Sequence, residues 1–299
     1  MLWIPVTIFA AFAQTVRNAA QRQLLERLGT LGATLVRFLY AIPFSLLWLV
    51  LALHMAALSL PAINSQFILW VAIGGISQIV GTALLLLTMV ERNFAVGVAY
   101  AKTEVVQLAV LSWIVLGDTL DGYGVLAVAF GTLALLLLTP SGGKHPFRAL
   151  ITGLFSRSAL YGTGCGACMA LASVAARGAI DALHASSFFV NAAVTVLAIQ
   201  LLQAVVLGGW LGLSNRTVLL RVFKLWRPSL IVGLTSAAAS VGWLTAFALK
   251  PVTYVRTLGL LEMVFSYVVS RRLFKEAPTR REIAAMVLMM LAVGLIVAG

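Results

Sequence analysis

Charged residues are so widely spaced in this chain that the segments between them read as membrane helices. Only 10% of the 299 residues are Asp, Glu, Lys or Arg, and 62% are hydrophobic. The uncharged runs are about as long as helices that cross a hydrocarbon core ~30 Å thick, and several end in Gly, Pro or basic clusters. Strands of a membrane β-barrel would be ~10 residues long and would alternate apolar with polar residues, which these runs do not do. A mean hydropathy of +1.04 is likewise too high for a soluble domain. The first segment begins Met1-Leu-Trp-Ile-Pro5, without the basic start or nearby small-residue site of a cleaved signal, so it is expected to remain as a helix.

Taken in order, the sequence predicts ten transmembrane segments. They lie at about 3–21, 33–53, 67–90, 97–118, 123–138, 159–180, 186–211, 229–249, 251–274 and 283–297. The breaker-rich stretch Thr139-Pro-Ser-Gly-Gly-Lys-His-Pro146 divides them five and five. The expected organisation is therefore a first five-helix repeat over 1–139, a linker over 140–150 and a second repeat over 151–299.

The repeat is visible in the residues. Glu104 and Glu262 stand 158 apart within apolar stretches, and so do Asp118 and Glu276, Gly75 and Gly233, and Thr82 and Ser240. Because five is odd, the second copy enters the membrane from the other side. The predicted fold class is all-α integral membrane, with ten transmembrane helices as two inverted five-helix repeats. Such repeats commonly enclose a midplane substrate site reached alternately from the two sides.

The net charge of +12 does not imply nucleic acid, because the basic residues fall in short turns and no soluble domain presents them. Fifteen of the 21 Lys and Arg lie in loops on one side and only Arg177 and Lys250 in the opposite loops; Arg17, Arg37, Lys102 and Arg256 lie inside helices. By the positive-inside rule the fifteen-cation side is cytoplasmic, which puts both termini outside.

Several stretches resemble the drug/metabolite transporter superfamily, in its ten-helix EamA-type branch. Glu104-Val-Val running to Gly117-Asp118, and Glu262-Met-Val running to Lys275-Glu276, are similar to that group's Glu-Pro-Val start and Gly-Glu end. Arg37-Phe38-Leu39-Tyr40-Ala41 is similar to its second helix. Neither glutamate is followed by proline, and Gln14-Thr15 stands where many members have a Trp-Gly-like pair. The resemblance covers essentially the whole chain. It implies secondary transport of small organic molecules, often export of amino acids or related metabolites, and also cytoplasmic termini, against the charge count.

A carboxylate at membrane depth is costly unless it is paired, protonated or wetted, so Glu104 and Glu262 are the first candidates for a transport pathway. Tyr100 and Gln107 share the Glu104 face. Two readings stay open: the acids bind a cationic group or carry a proton, or they lock helices together by pairing with Lys102, Arg256 or Arg37. Gln14, Arg17, Asn18 and Gln21 recur on one helical face that must avoid lipid. Arg17 and Arg37 are expected to snorkel toward the cation-rich side; the alternative is capture of a substrate carboxylate with Gln14 and Asn18. Gln78 and Trp243 are expected to face a cavity across repeat-paired helices. The histidines, His54, His145 and His184, are expected in loops. Gly162-Thr-Gly164-Cys-Gly166 reads as close helix packing and not as a dinucleotide loop, since no strand precedes it. Cys165 and Cys168 are one turn apart without a redox context.

The sequence reading is thus a multi-pass transporter of the inner (plasma) membrane, moving a small-molecule metabolite such as an amino acid or related zwitterion. Its expected partner is the lipid bilayer, with no cofactor, no metal and no nucleic acid, and homodimerisation left open. A flippase for a lipid-linked substrate is the runner-up. An intramembrane enzyme would need clustered His, Asp or Cys, and only isolated acids occur. The orientation is testable: a cysteine added after Gly299 is expected to react with an impermeant thiol reagent on intact cells. Reaction only after permeabilisation would reverse the assignment.

Overall fold

The computed structural model describes residues 2–104, 107, 122–138, 156–183, 187–249, 255, 258–276 and 278–298. Among them the secondary structure is all α-helix. The elements are α1 (Trp3–Leu39), α2 (Ile42–Ala56), α3 (Ser65–Glu91), α4 (Phe94–Ala101), α5 (Gly122–Leu138) and α6 (Arg157–Ala182). They continue with α7 (Phe188–Ser214), α8 (Arg216–Lys224), α9 (Trp226–Leu249), α10 (Leu261–Arg272) and α11 (Arg280–Ala298). Five stretches are long and apolar enough to cross a membrane: Trp3–Ala56, Ser65–Glu91, Arg157–Ala182, Phe189–Ser214 and Trp226–Ala246. Their outward faces carry large apolar side chains, such as Leu47 and Val50 on α2 and Ile68 and Leu69 on α3. Apolar side chains exposed on helices whose backbone bonds are satisfied internally are what a lipid solvent requires. The chain is an all-α membrane protein. The linker 140–150 lies outside the described residues.

The start of the chain departs from the expected turn over 24–32. Helix α1 runs on through it and breaks at one residue, Gly29, with φ +66° and ψ 176°. In that region essentially only glycine is at ease. The chain reverses there, because Gln21 Nε2 donates to Ala33 O at 3.0 Å, whereas twelve residues of straight helix would span about 18 Å. The second expected segment is also interrupted: α1 ends at Leu39 and α2 begins at Ile42, with Pro43 in its first turn, where its missing N–H costs nothing. His54 sits in the last turn of α2 and not in the following loop. The stretch read as a basic loop before segment eight contains a helix, α8, capped by Asn215 Oδ1 accepting from Val218 N at 3.2 Å.

The chain forms two compact units, 1–79 with 171–259 and 80–170 with 260–299. Each draws on both halves of the sequence. In the first unit, α2, α3, α6 and α7 share a core that includes Leu49, Phe67, Ala179 and Val190. A second core there joins α1, α7, α8 and α9 through Leu28, Val36, Leu207, Val222 and Val232. The core of the other unit gathers Val96 and Tyr100 of α4, Ala134 of α5, Ala159 of α6, and Met263, Met286 and Met289 of α10 and α11.

Gly29 supplies the prediction for this level. A Cβ there would meet nothing within 4 Å, so Gly29→Ala tests backbone strain alone. It is expected to destabilise the protein by about 1–3 kcal/mol in detergent unfolding. An unchanged unfolding midpoint would mean that the reversal does not depend on the glycine.

Candidate functional site

The second unit holds the buried carboxylates Glu104, Glu262 and Glu282 with Lys102. Helix α4 is set by polar groups at its start: Asn93 Oδ1 accepts from Val96 N at 2.8 Å, and Glu276 Oε2 accepts from Phe94 N at 3.0 Å and from Ser270 Oγ at 2.7 Å. A carboxylate at a helix N-terminus meets free N–H groups and the favourable end of the helix dipole. The acid that closes the second motif therefore anchors the first one's helix. Nearby, Arg92 pairs with Glu282 at 3.0 Å, while Glu282 Oε2 accepts from Thr279 N at the start of α11.

Just past the end of α4, as its C-cap residue, comes Lys102, whose Nζ lies 2.5 Å from Glu262 Oε2 on α10. Both residues are enclosed, Lys102 at 5% exposure and Glu262 at 1%, and Glu104 is buried at 4%. Of the pairings open in the sequence, the structure thus joins Lys102 to the glutamate of the other half. Arg256 lies outside the described residues. The other members of the Glu104 face are packed. Tyr100 is in the core, against Gly162, where a Cβ would overlap its ring. Gln107 Nε2 donates to Thr103 Oγ1 at 2.9 Å and to Thr163 O of α6 at 3.0 Å. Gly166 gives the room for Thr103 and Gln107, so the glycine triplet of α6 serves close helix approach.

The first unit holds a mostly neutral polar set. Trp243 Nε1 donates to Gln14 Oε1 at 2.8 Å, joining α9 to α1. Arg17 donates through Nε and a terminal nitrogen to Asn18 Oδ1 at 3.2 and 2.8 Å. At 3% exposure Arg17 is enclosed by protein, and Arg37 is nearly so at 6%, with its guanidinium 5.3 Å from the Phe38 ring centre. A snorkelling side chain would reach the surface, and neither does. Gln78 Oε1 accepts from Gln203 Nε2 at 2.9 Å, which also donates to Gly75 O at 3.1 Å.

Gln78 lines a cavity of about 50 Å³ with Gly74, Ala172, Gln200, Ser240 and Leu244, among others. That is room for a few water molecules. Gln200 and Gln203 were not singled out from the sequence. Their spacing of three within the apolar run 196–213 of α7 was the available signal, the same one that marks Gln14 and Arg17. Among the described residues there is no group of His, Cys, Asp and Glu that could hold a metal, and Cys165 and Cys168 are free thiols.

No family model and no curated protein matches the sequence. Thirteen chains of solved structures match. One of them, described only as the crystal structure of a protein, aligns with a TM-score of 0.51 over 98% of this chain and 95% of its own, at 16% identity. At that identity the likeness is one of fold, and it extends along the whole chain.

The Lys102–Glu262 pair makes a stability prediction. Removing one partner of a buried pair strands a charge and costs about 3–5 kcal/mol, while replacing both with apolar residues is often neutral. Lys102→Met and Glu262→Leu are each expected to lose that much, and the double variant to recover most of it. Additive losses in detergent unfolding would show that the two residues act independently.

Proposed function

We propose that the protein is a secondary transporter of a small zwitterionic metabolite, such as an amino acid, in the inner membrane. On this reading the chain belongs to the ten-helix EamA-type branch of the drug/metabolite transporters that its motifs resemble, and it works by alternating access of two inverted five-helix repeats. The observation that carries the reading is the enclosed Lys102–Glu262 pair joining two stretches related by the 158-residue offset. Ionisable groups kept at such depth mark substrate or ion pathways more often than they mark scaffolding.

The asymmetry of the pair suggests the cargo. The position equivalent to Glu262 is Glu104, but the one equivalent to Lys102 is Leu260. A zwitterion can enter between the partners, its ammonium on the Glu262 carboxylate and its carboxylate on the Lys102 ammonium, without stranding either charge. A simple cation on Glu262 would offer the Lys102 ammonium no carboxylate in exchange.

Two contacts in the first unit support the repeat. Gly233 of α9 packs against the backbone of Tyr40, where a Cβ would overlap the Tyr40 carbonyl; its equivalent, Gly75 of α3, meets Leu202 of α7. An inverted repeat exchanges segments three and eight, and two and seven, and so relates the two helix pairs, with the contacted residues one turn apart under the offset. The hydrogen bond between Gln78 and Gln203 has as its counterpart the pair of positions Ser236 and Ser45, both buried.

Metabolite profiling inside and outside cells tests the function. Overexpression of the wild type is expected to shift the distribution of at least one zwitterionic metabolite, and the Glu104→Gln/Glu262→Gln variant to shift none. A wild type that shifts no metabolite removes the transporter reading. A shift that survives in the variant removes the site.

A further inference from the structure

Helix α8 has no counterpart in the other half of the chain. The equivalent connection, near 58–64, is a non-helical stretch with Pro61 and no charged residue. By contrast α8 turns one apolar face inward, with Val222 fully buried in a core shared with α1, α7 and α9, and Tyr40 Oη donating to Val222 O at 3.0 Å. Its other face is exposed and mixed: Leu220 and Phe223 are each 52% exposed between the exposed basic residues Arg216 and Lys224. At the start of α9, Trp226 is 50% exposed and Arg227 lies over its ring at 5.4 Å.

Helical geometry puts Arg216, Leu220, Phe223 and Lys224 on one side of α8, with Arg221 at its margin, and Arg227 follows in the first turn of α9. No Asp or Glu occurs between Asp181 and Glu262, so neither α8 nor its flanking helices α7 and α9 can neutralise this face. From α1, the exposed Glu26 is offset by Arg22 and Arg27. Exposed aromatic and aliphatic side chains among uncompensated cations, at the end of two membrane-type helices, match the boundary between acyl chains and anionic head groups.

We propose that α8 is an interfacial helix that binds anionic phospholipids of the leaflet on the cation-rich side. Arg216, Lys224 and Arg227 hold the phosphates, Arg221 adds to the field, and Leu220, Phe223 and Trp226 enter the acyl boundary. The face thereby holds the turn between α7 and α9 at the membrane surface, at one end of the repeat only. This rests on the membrane-embedded fold and not on the transport reading, so either can fail without the other.

The test uses the full chain in nanodiscs of equal phosphatidylglycerol and phosphatidylcholine, with retained lipids counted by native mass spectrometry. The wild type is expected to retain the anionic lipid at least fivefold over the neutral one, since a single basic residue near the surface contributes about fivefold. Arg216→Gln/Lys224→Gln/Arg227→Gln should bring the ratio close to one. Leu220→Ser/Phe223→Ser, which keeps the cations, should retain less of both lipids with the preference intact. All five positions are exposed, and circular dichroism checks that the fold is kept. Equal retention of the two lipids by the wild type, or an unchanged ratio in the charge variant, overturns the proposal. Displacement of the anionic lipid by micromolar acidic peptide would also overturn it, in favour of a protein partner.

Discussion

A charge that cannot reach water must find an opposite charge, and in this protein that requirement reaches across the sequence. Lys102 and Glu262 are 160 residues apart in the chain and 2.5 Å apart in space. Their pairing asks α4 and α10 to meet at a defined register, and the surrounding features serve that meeting. Glu276 caps α4, Glu282 ties Arg92 to the start of α11, and Gly162 and Gly166 let α6 approach α4 closely. Buried pairs of this kind add little net stability over apolar packing, while a broken pair is costly. The pair is therefore better understood as a constraint on geometry than as glue.

Much of this was legible in the sequence because lipid imposes a simple code. Uncharged runs gave the long helices, and the 158-residue offset singled out Glu104 and Glu262 before any contact was known. The polar face of α1 was also readable: Arg17, Asn18 and Gln21 are buried as their spacing requires. Periodicity shows which residues share a face, but not which helix covers that face. For this reason Arg17 and Arg37 were expected to snorkel, and the partner of Gln78, Gln203, was not foreseen. The reversal at Gly29 was hidden for another reason. A single glycine can turn the chain without the cluster of breakers that usually marks a loop.

The two polar sets differ in kind. The second unit encloses formal charges; in the first, the cavity is bordered by neutral amides and a hydroxyl, with Trp243 and Gln14 bonded elsewhere on α1 and α9. Neutral amides offer hydrogen-bonding groups without the desolvation cost of ions, so this cavity is bordered without a formal charge, although Arg17 and Arg37 are buried elsewhere in the same unit. Helix α8 places cations and aromatic side chains at one end of the first unit.

The central claim is that the buried pair is opened by the transported molecule. Solid-state NMR on the protein in bilayers, with isotope labels on lysine Nζ and glutamate Cδ, measures that contact directly. One lysine signal should show dipolar coupling to a glutamate carboxylate, assigned by its loss in Glu262→Gln. On saturation with the metabolite identified by profiling, the account predicts that this coupling disappears. Coupling that persists unchanged in the saturated protein would contradict it and leave the pair a structural lock.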